Sequence, residues 1–317
     1  MPVADIAYMV YDHVDLQEAE RFFQDFGLKV AYRSETEIGF RPSLERGYCY
    51  VARKADKPAL VAIGMRMTSL EALEAVAQFP EASAVEPITD RPGGGHRVRL
   101  HSPDGLPFEL TYGIEALPPL EHRKALHINT GNHKVRHGEF QRPDFEPATV
   151  LRLGHVALLT KDFPANFEWL QSRLGMQPTD IIFDGTHDQK VGAFLHCGRC
   201  PSEWTDHHTL ALFPSDTPRV HHCSFEVEDI DSEFIGNKWM QKQGWRPLWG
   251  IGRHVFGSQI FDYWFDPAGN VVEHFTDGDL IRPGTPETYH QANETSLYMW
   301  GPPIEAENFV EAAAKHG

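Results

Sequence analysis

Several things are scarce or missing in this chain of 317 residues, and each absence excludes something. No apolar run approaches the ~18 residues that a membrane-spanning helix needs. The start, "MPVADIAYMVYDHVDL", lacks a basic stretch followed by a long apolar core, so no secretory signal is expected. Positive charge is also short. A formal net charge of −16 argues against nucleic acid or an anionic membrane as the main partner. Cysteine occurs four times, as Cys49, Cys197, Cys200 and Cys223. The pair Cys197 and Cys200 has thiol-redox spacing, but no second CxxC completes a zinc site and no helical pattern follows it. The thiols read as ordinary reduced cysteines, and the expected location is the cytoplasm. Histidine, in contrast, is plentiful, 18 in all.

The length suits about two domains of roughly 150 residues, and the chain repeats itself. "DIAYMVYDHVDLQEAERFFQDFGLKV" near the start and "RLGHVALLTKDFPANFEWLQSRLGMQP" from Arg152 have one plan. Each is an apolar strand, a turn, an amphipathic helix and a glycine that stops it, Gly27 or Gly175. "HSPDGLPFELTYG" parallels "FDPAGNVVEHFTDG", and "AIGMRMTSLEAL" parallels "HCSFEVEDIDSEF". We therefore expect an α+β protein of two tandem domains, each of two βαβββ modules, with helices on one side of curved, barrel-like mixed sheets. The expected division is residues 1–140, a polar linker at 141–149, a second domain at 150–290 and a tail at 291–317.

Laid over each other, the halves differ in what they carry. Tyr8 falls on His155, Ala62 on His222 and Glu109 on Glu273. A shared scaffold with different polar residues implies that the scaffold does not require the histidines, so the chemistry belongs to the second half. Glu273 sits in line with Val271 and Phe275 on a strand, where a bare carboxylate is expensive to bury. Two histidines and a carboxylate make the facial triad of a non-haem Fe(II) centre, and Mn(II) accepts the same ligands. Taken singly, His155 could be a hydrogen-bonded core histidine and Glu273 a strand-edge charge. Their equivalent positions in consecutive modules favour the joint reading. Between adjacent His221 and His222, alternation puts His221 with Cys223, Phe225 and Val227 on the packing face, so His222 is taken as the ligand. His207, His221 and His274 read as surface or packing histidines.

The end of the second half resembles the type I extradiol ring-cleaving dioxygenases of the vicinal oxygen chelate superfamily. The residues that carry the resemblance are Gly252-Arg253-His254, Tyr263, Asp266-Pro267-Ala268-Gly269 and Glu273. Asp262 departs from the pattern, which has an aliphatic residue or Phe before the tyrosine, and Ala157 departs where some members carry Asn. The resemblance implies a glyoxalase-like fold, with His155, His222 and Glu273 as iron ligands. It implies His208 beside bound oxygen, and His254 and Tyr263 at the substrate hydroxyl. It also implies O2 and a small aromatic diol or triol as reactants, no nucleic-acid or membrane partner, and a homo-oligomer.

No pair of arginines is set aside for a substrate carboxylate, so an uncharged ring is expected. Through "GRHVFGSQIFDYWFDP" and "FQRPDFEPATVLRLGHVAL", the resemblance implies 2,4,5-trihydroxytoluene or a methyl-substituted catechol ahead of 2,3-dihydroxybiphenyl or catechol. Trp204, Trp245, Trp249, Phe256 and Phe261 are candidate pocket aromatics. Two other readings stand: a metal-dependent glyoxalase-like lyase or isomerase, and a small-molecule binding protein without enzymatic activity.

Overall fold

The computed structural model describes residues 3–197, 203–282, 284–293 and 296–312. Cys200, half of the CxxC pair, lies outside them; Cys197 is buried, with its thiol donating to Thr209 Oγ1 at 3.3 Å. No helix among the described residues is long and apolar enough to cross a membrane.

The chain folds as four strand–helix–strand–strand–strand modules, an α+β architecture with two large curved sheets. In the first sheet the strand Val3–His13 pairs antiparallel with Ala59–Met67, which runs parallel to Pro107–Tyr112. In the second, Val150–Thr160 pairs antiparallel with Arg219–Val227, which runs parallel to Val271–Thr276. The registers of the two sheets match. Tyr8 lies opposite Gly64 as His155 lies opposite Ser224, and Val10 opposite Ala62 as Ala157 opposite His222. Gly64 aligns with Glu109 as Ser224 aligns with Glu273.

The helices follow from local chemistry. Asp15, Asp162 and Asp229 cap the N-termini of Leu16–Phe26, Phe163–Leu174 and Ile230–Gln243 with their carboxylates. Gly27, Gly175 and Gly244 end the same helices in the left-handed region that a residue without Cβ enters freely. The buried face of Leu16–Phe26 presents Phe22, Phe23 and Phe26, which join residues of both halves in one core. His274 belongs to that interface: it stacks on Phe26 with ring centroids 3.7 Å apart and bonds the Phe26 carbonyl at 2.7 Å.

Two short strands near the C-terminus extend the second sheet at opposite edges. Thr288–Gln291 pairs with Gln177–Phe183, and Tyr298–Trp300 pairs with Pro247–His254. The chain thus crosses from one edge of the curved sheet to the other, and the short helix Ala306–Glu311 follows.

Candidate metal centre

The hairpin of Ile260–Phe265 and Val271–Thr276 fixes the carboxylate. Asp266 Oδ1 accepts the backbone N–H groups of Ala268 and Asn270, both at 2.8 Å, and Gly269 closes the turn with φ +86°. Phe261 then faces Phe275, Tyr263 faces Glu273 and Phe265 faces Val271 across the pair. Glu273 is fully buried, and neither of its oxygens accepts a hydrogen bond of ordinary geometry.

Imidazole nitrogens face Glu273 instead of hydrogen-bond donors. His155 Nε2 is 3.2 Å and His222 Nε2 3.4 Å from Glu273 Oε2, and His254 Nε2 is 3.7 Å from Oε1. One donor atom from each of His155, His222 and Glu273 lies within 4.8 Å of the others. No other group of three His, Cys, Asp or Glu side chains among the described residues is gathered in this way. Burial works to raise the Glu273 carboxyl, and the nitrogens of His155, His254 and His222 outweigh it, holding the group well below the usual carboxylate range. Burial keeps His222 neutral, well below the ordinary imidazole value. A buried carboxylate faced by imidazole nitrogens is a donor set that suits a divalent cation, and three protein ligands leave positions for others.

The first half shows the same register solved without a cation. Glu109, at the position of Glu273, accepts the Tyr8 hydroxyl at 2.6 Å and Nη1 of Arg91 and Nε of Arg99 at 3.1 Å each. Burial would raise its carboxyl, but Arg91 and the Tyr8 hydrogen bond keep it lowered. Guanidinium groups neutralise one carboxylate; among the described residues no lysine or arginine is paired with the other.

The cluster opens on a cavity of about 260 Å³. Ile182, Val191, Phe194, Phe213 and Phe256 supply apolar walls, and the polar lining includes His155, His208, His222, His254, Tyr263 and Gln259. Five of the six residues singled out in the sequence as ligands or catalytic groups line the cavity, and the sixth, Glu273, lies against His155, His222 and His254. Of the five candidate aromatics, only Phe256 lines it. Trp249 and Phe261 are buried behind His254 and Tyr263. Trp245 packs on Phe22, and Trp204 is exposed under Arg282.

Hydrogen bonds fix the histidines. His208 Nδ1 lies 3.0 Å from His207 Nδ1, and His207 Nε2 lies 2.8 Å from the Asp180 carboxylate. A carboxylate only accepts, so His207 carries a proton on Nε2; its Nδ1 then accepts from the Nδ1–H of His208, which keeps Nε2 bare. Burial holds His208 well below the ordinary imidazole value. Tyr263 Oη is 2.7 Å from His254 Nε2, and burial followed by the charge on Glu273 pushes the phenol well above its ordinary range. It stays a proton donor.

The expectation for His221 needs correction. A register irregularity between Val220 and His222 inserts His221, so Val220 rather than His221 joins Cys223 and Phe225 in the core. His221 turns instead to His222, Nδ1 to Nδ1 at 2.6 Å, and to the Phe309 carbonyl at 2.7 Å. His207, His221 and His274 are all buried rather than at the surface. Asp180, Gln259, Leu297 and Phe309 escaped the sequence reading. The doublets His207-His208 and His221-His222 were the available signal.

Two curved sheets of paired βαβββ modules, one holding a buried His–His–Glu cluster beside a largely apolar cavity, show the vicinal oxygen chelate fold. More particularly, residues 152–274 match the family described as Glyoxalase/Bleomycin resistance protein/Dioxygenase superfamily. It is similar to metapyrocatechase 2 of Cupriavidus necator, 28% identical over 303 residues that cover 95% of this chain and 90% of the relative. Among solved structures, homoprotocatechuate 2,3-dioxygenase of Brevibacterium fuscum superposes with a TM-score of 0.78 at 23% identity, covering 98% of this chain and 93% of that one. A Mn(II)-bound glyoxalase from Novosphingobium aromaticivorans shares the fold equally, with a TM-score of 0.77 at 23% identity over 95% of this chain and 91% of its own.

Proposed function

We propose that the protein is an extradiol dioxygenase that inserts both atoms of O2 into a catechol-type ring, breaking it beside the vicinal hydroxyls. The observation that carries the reading is the buried Glu273 carboxylate, without hydrogen-bond donors and faced by the Nε2 atoms of His155 and His222. These three residues would hold Fe(II), or Mn(II), which accepts the same donors. The bound ion supplies a common anchor for the diol oxygens and O2, and a route for electrons between them.

The chain's own groups do the rest. The apolar walls receive the ring and exclude water from it. Tyr263 Oη and His254 Nε2 form a hydrogen-bonded pair at the wall, suited to stabilising the oxygen of a diol that has given up a proton. His208, neutral with a bare Nε2, can accept a proton on the cavity side and return it later. Among the described residues no lysine or arginine lines the cavity, which supports an uncharged substrate, with 2,4,5-trihydroxytoluene or a methyl-substituted catechol favoured. Catalysis is assigned to residues 150–290, where the histidines missing from the first half stand; a cytoplasmic location is carried by the reading of the cysteines as reduced thiols and a homo-oligomer by the family resemblance.

A glyoxalase-like lyase or isomerase remains the second reading, because a glyoxalase shares the fold. The set His208, His254 and Tyr263 beside the triad favours the dioxygenase. Oxygen uptake decides between them. Protein loaded anaerobically with Fe(II) is expected to consume O2 with 3-methylcatechol or 2,4,5-trihydroxytoluene and form a coloured ring-opened product, with Glu273→Gln inactive. Bound iron without uptake on any diol would sink the reading.

A further inference from the structure

We infer that the C-terminal segment carrying Leu297 and Phe309 is a working part of the site: its backbone carbonyls fix which nitrogen bears the proton in His254 and, through His221, in His222. The inference rests on the reading of His222 as a metal ligand.

A carbonyl oxygen only accepts hydrogen bonds. The Phe309 carbonyl lies 2.7 Å from His221 Nε2, so that nitrogen carries the proton. In the tautomer protonated there, Nδ1 is bare and can only accept. The contact of 2.6 Å between the Nδ1 atoms of His221 and His222 needs one proton, and only His222 can supply it. His222 Nε2 is left with a free lone pair, and this is the nitrogen that faces Glu273 Oε2. The register irregularity in Arg219–Val227 makes the contact feasible, since regular alternation would send adjacent side chains to opposite faces. The Leu297 carbonyl acts alike: at 2.8 Å from His254 Nδ1 it places a proton there, and Nε2 turns to the Tyr263 hydroxyl.

The segment is held where these bonds need it. Trp249 Nε1 donates to the Pro302 carbonyl at 2.8 Å, and Arg219 Nη2 to the Val310 carbonyl at 3.2 Å. The Phe309 ring is buried against His221 and Tyr263, with centroids 4.5 and 5.0 Å away. Leu297 and Phe309 also line the cavity, so one segment both walls the pocket and sets two of its imidazoles. His221 is thus a positioning residue, and the segment a positioning element.

The test uses Mn(II) as a probe of the triad and needs no turnover. Calorimetry on the full chain, on a chain ending at Pro303 and on His221→Phe is expected to show Mn(II) affinity falling on the order of 10–100-fold in both altered proteins. His221→Gln, whose amide oxygen can accept from His222 Nδ1, is expected to recover most of that loss. Nitrogen-15 spectra of histidine-labelled, metal-free protein supply a second reading: His222 protonated on Nδ1 in the full chain and on Nε2 in His221→Phe. Unchanged Mn(II) affinity in a folded His221→Phe, or Gln no better than Phe, would overturn the inference. If the full chain binds no Mn(II), the ligand reading fails, and the nitrogen-15 spectra alone then decide whether the segment sets the proton.

Discussion

His208 meets the cavity with one face and His207 with the other, and the Asp180 carboxylate beyond His207 decides where its proton sits. Asp180 is itself held by Thr288 and by His290 Nε2 at 3.0 Å, and these bonds with the His207 interaction keep it ionised against the raising effect of burial. His207→Phe is therefore expected to lower kcat on the order of 100-fold while KM for the diol changes little, because the acceptor that orients His208 is lost and the pocket walls stay. Steady-state kinetics at saturating O2 checks this, and an equal rise in KM would point to a collapsed pocket instead. Glu273→Gln is expected to remove tight metal binding altogether, read by metal content after gel filtration. The triad was legible in the sequence because the internal repeat supplied its own comparison, His155 against Tyr8 and His222 against Ala62. The outer histidines were not, because the acceptors that give them roles, Asp180 and the Phe309 carbonyl, lie far away in the chain.

At the level of single elements, the strands obeyed alternation wherever pairing was regular. The hairpin of Ile260–Phe265 and Val271–Thr276 has the facing residues that its pattern implied. Alternation misled only where Arg219–Val227 shifts register, since a bulge leaves no mark in a hydrophobic pattern. Gly252 offers an element-scale test of the C-terminal strand. A Cβ there would lie 2.7 Å from the Trp300 carbonyl and 2.4 Å from the Phe261 ring, so Gly252→Ala is expected to loosen Tyr298–Trp300 from its edge and speed proteolysis beyond Thr288. Unaltered proteolysis would show that the strand docks without that close approach. In the first half, Arg91→Leu removes one guanidinium from the buried Glu109 carboxylate and is expected to cost about 3 kcal/mol in urea unfolding.

Across the whole molecule, the halves share one core rather than meeting at a wet surface. Asp25 accepts the indole N–H groups of Trp239 and Trp245 at 2.9 and 3.0 Å, and Phe26 packs on Phe225 and His274. Phe26→Ala is expected to cost about 4 kcal/mol, with both halves unfolding in one transition. Under the helix Ile230–Gln243 lie two buried acids. Burial raises Asp262 to about 7 and raises Glu233 well above the carboxylate range. Groups whose folded value exceeds the unfolded one stabilise the fold fully below about pH 4, and that contribution is lost as pH rises through the folded value. Glu233→Gln is expected to flatten the fall in stability above about pH 5, visible in urea midpoints across pH. The α+β plan of four similar modules was readable from the repeat. The shared core was not, since contacts such as Asp25 with Trp239 join residues that no local pattern connects. The central claim is a ring opened by both atoms of one O2 at this site, and the most direct measurement is turnover of 3-methylcatechol by Fe(II)-loaded protein under ¹⁸O2 with mass spectrometry of the product. The account predicts a ring-opened product carrying both labelled atoms; an unlabelled product, or none with iron bound, would contradict it.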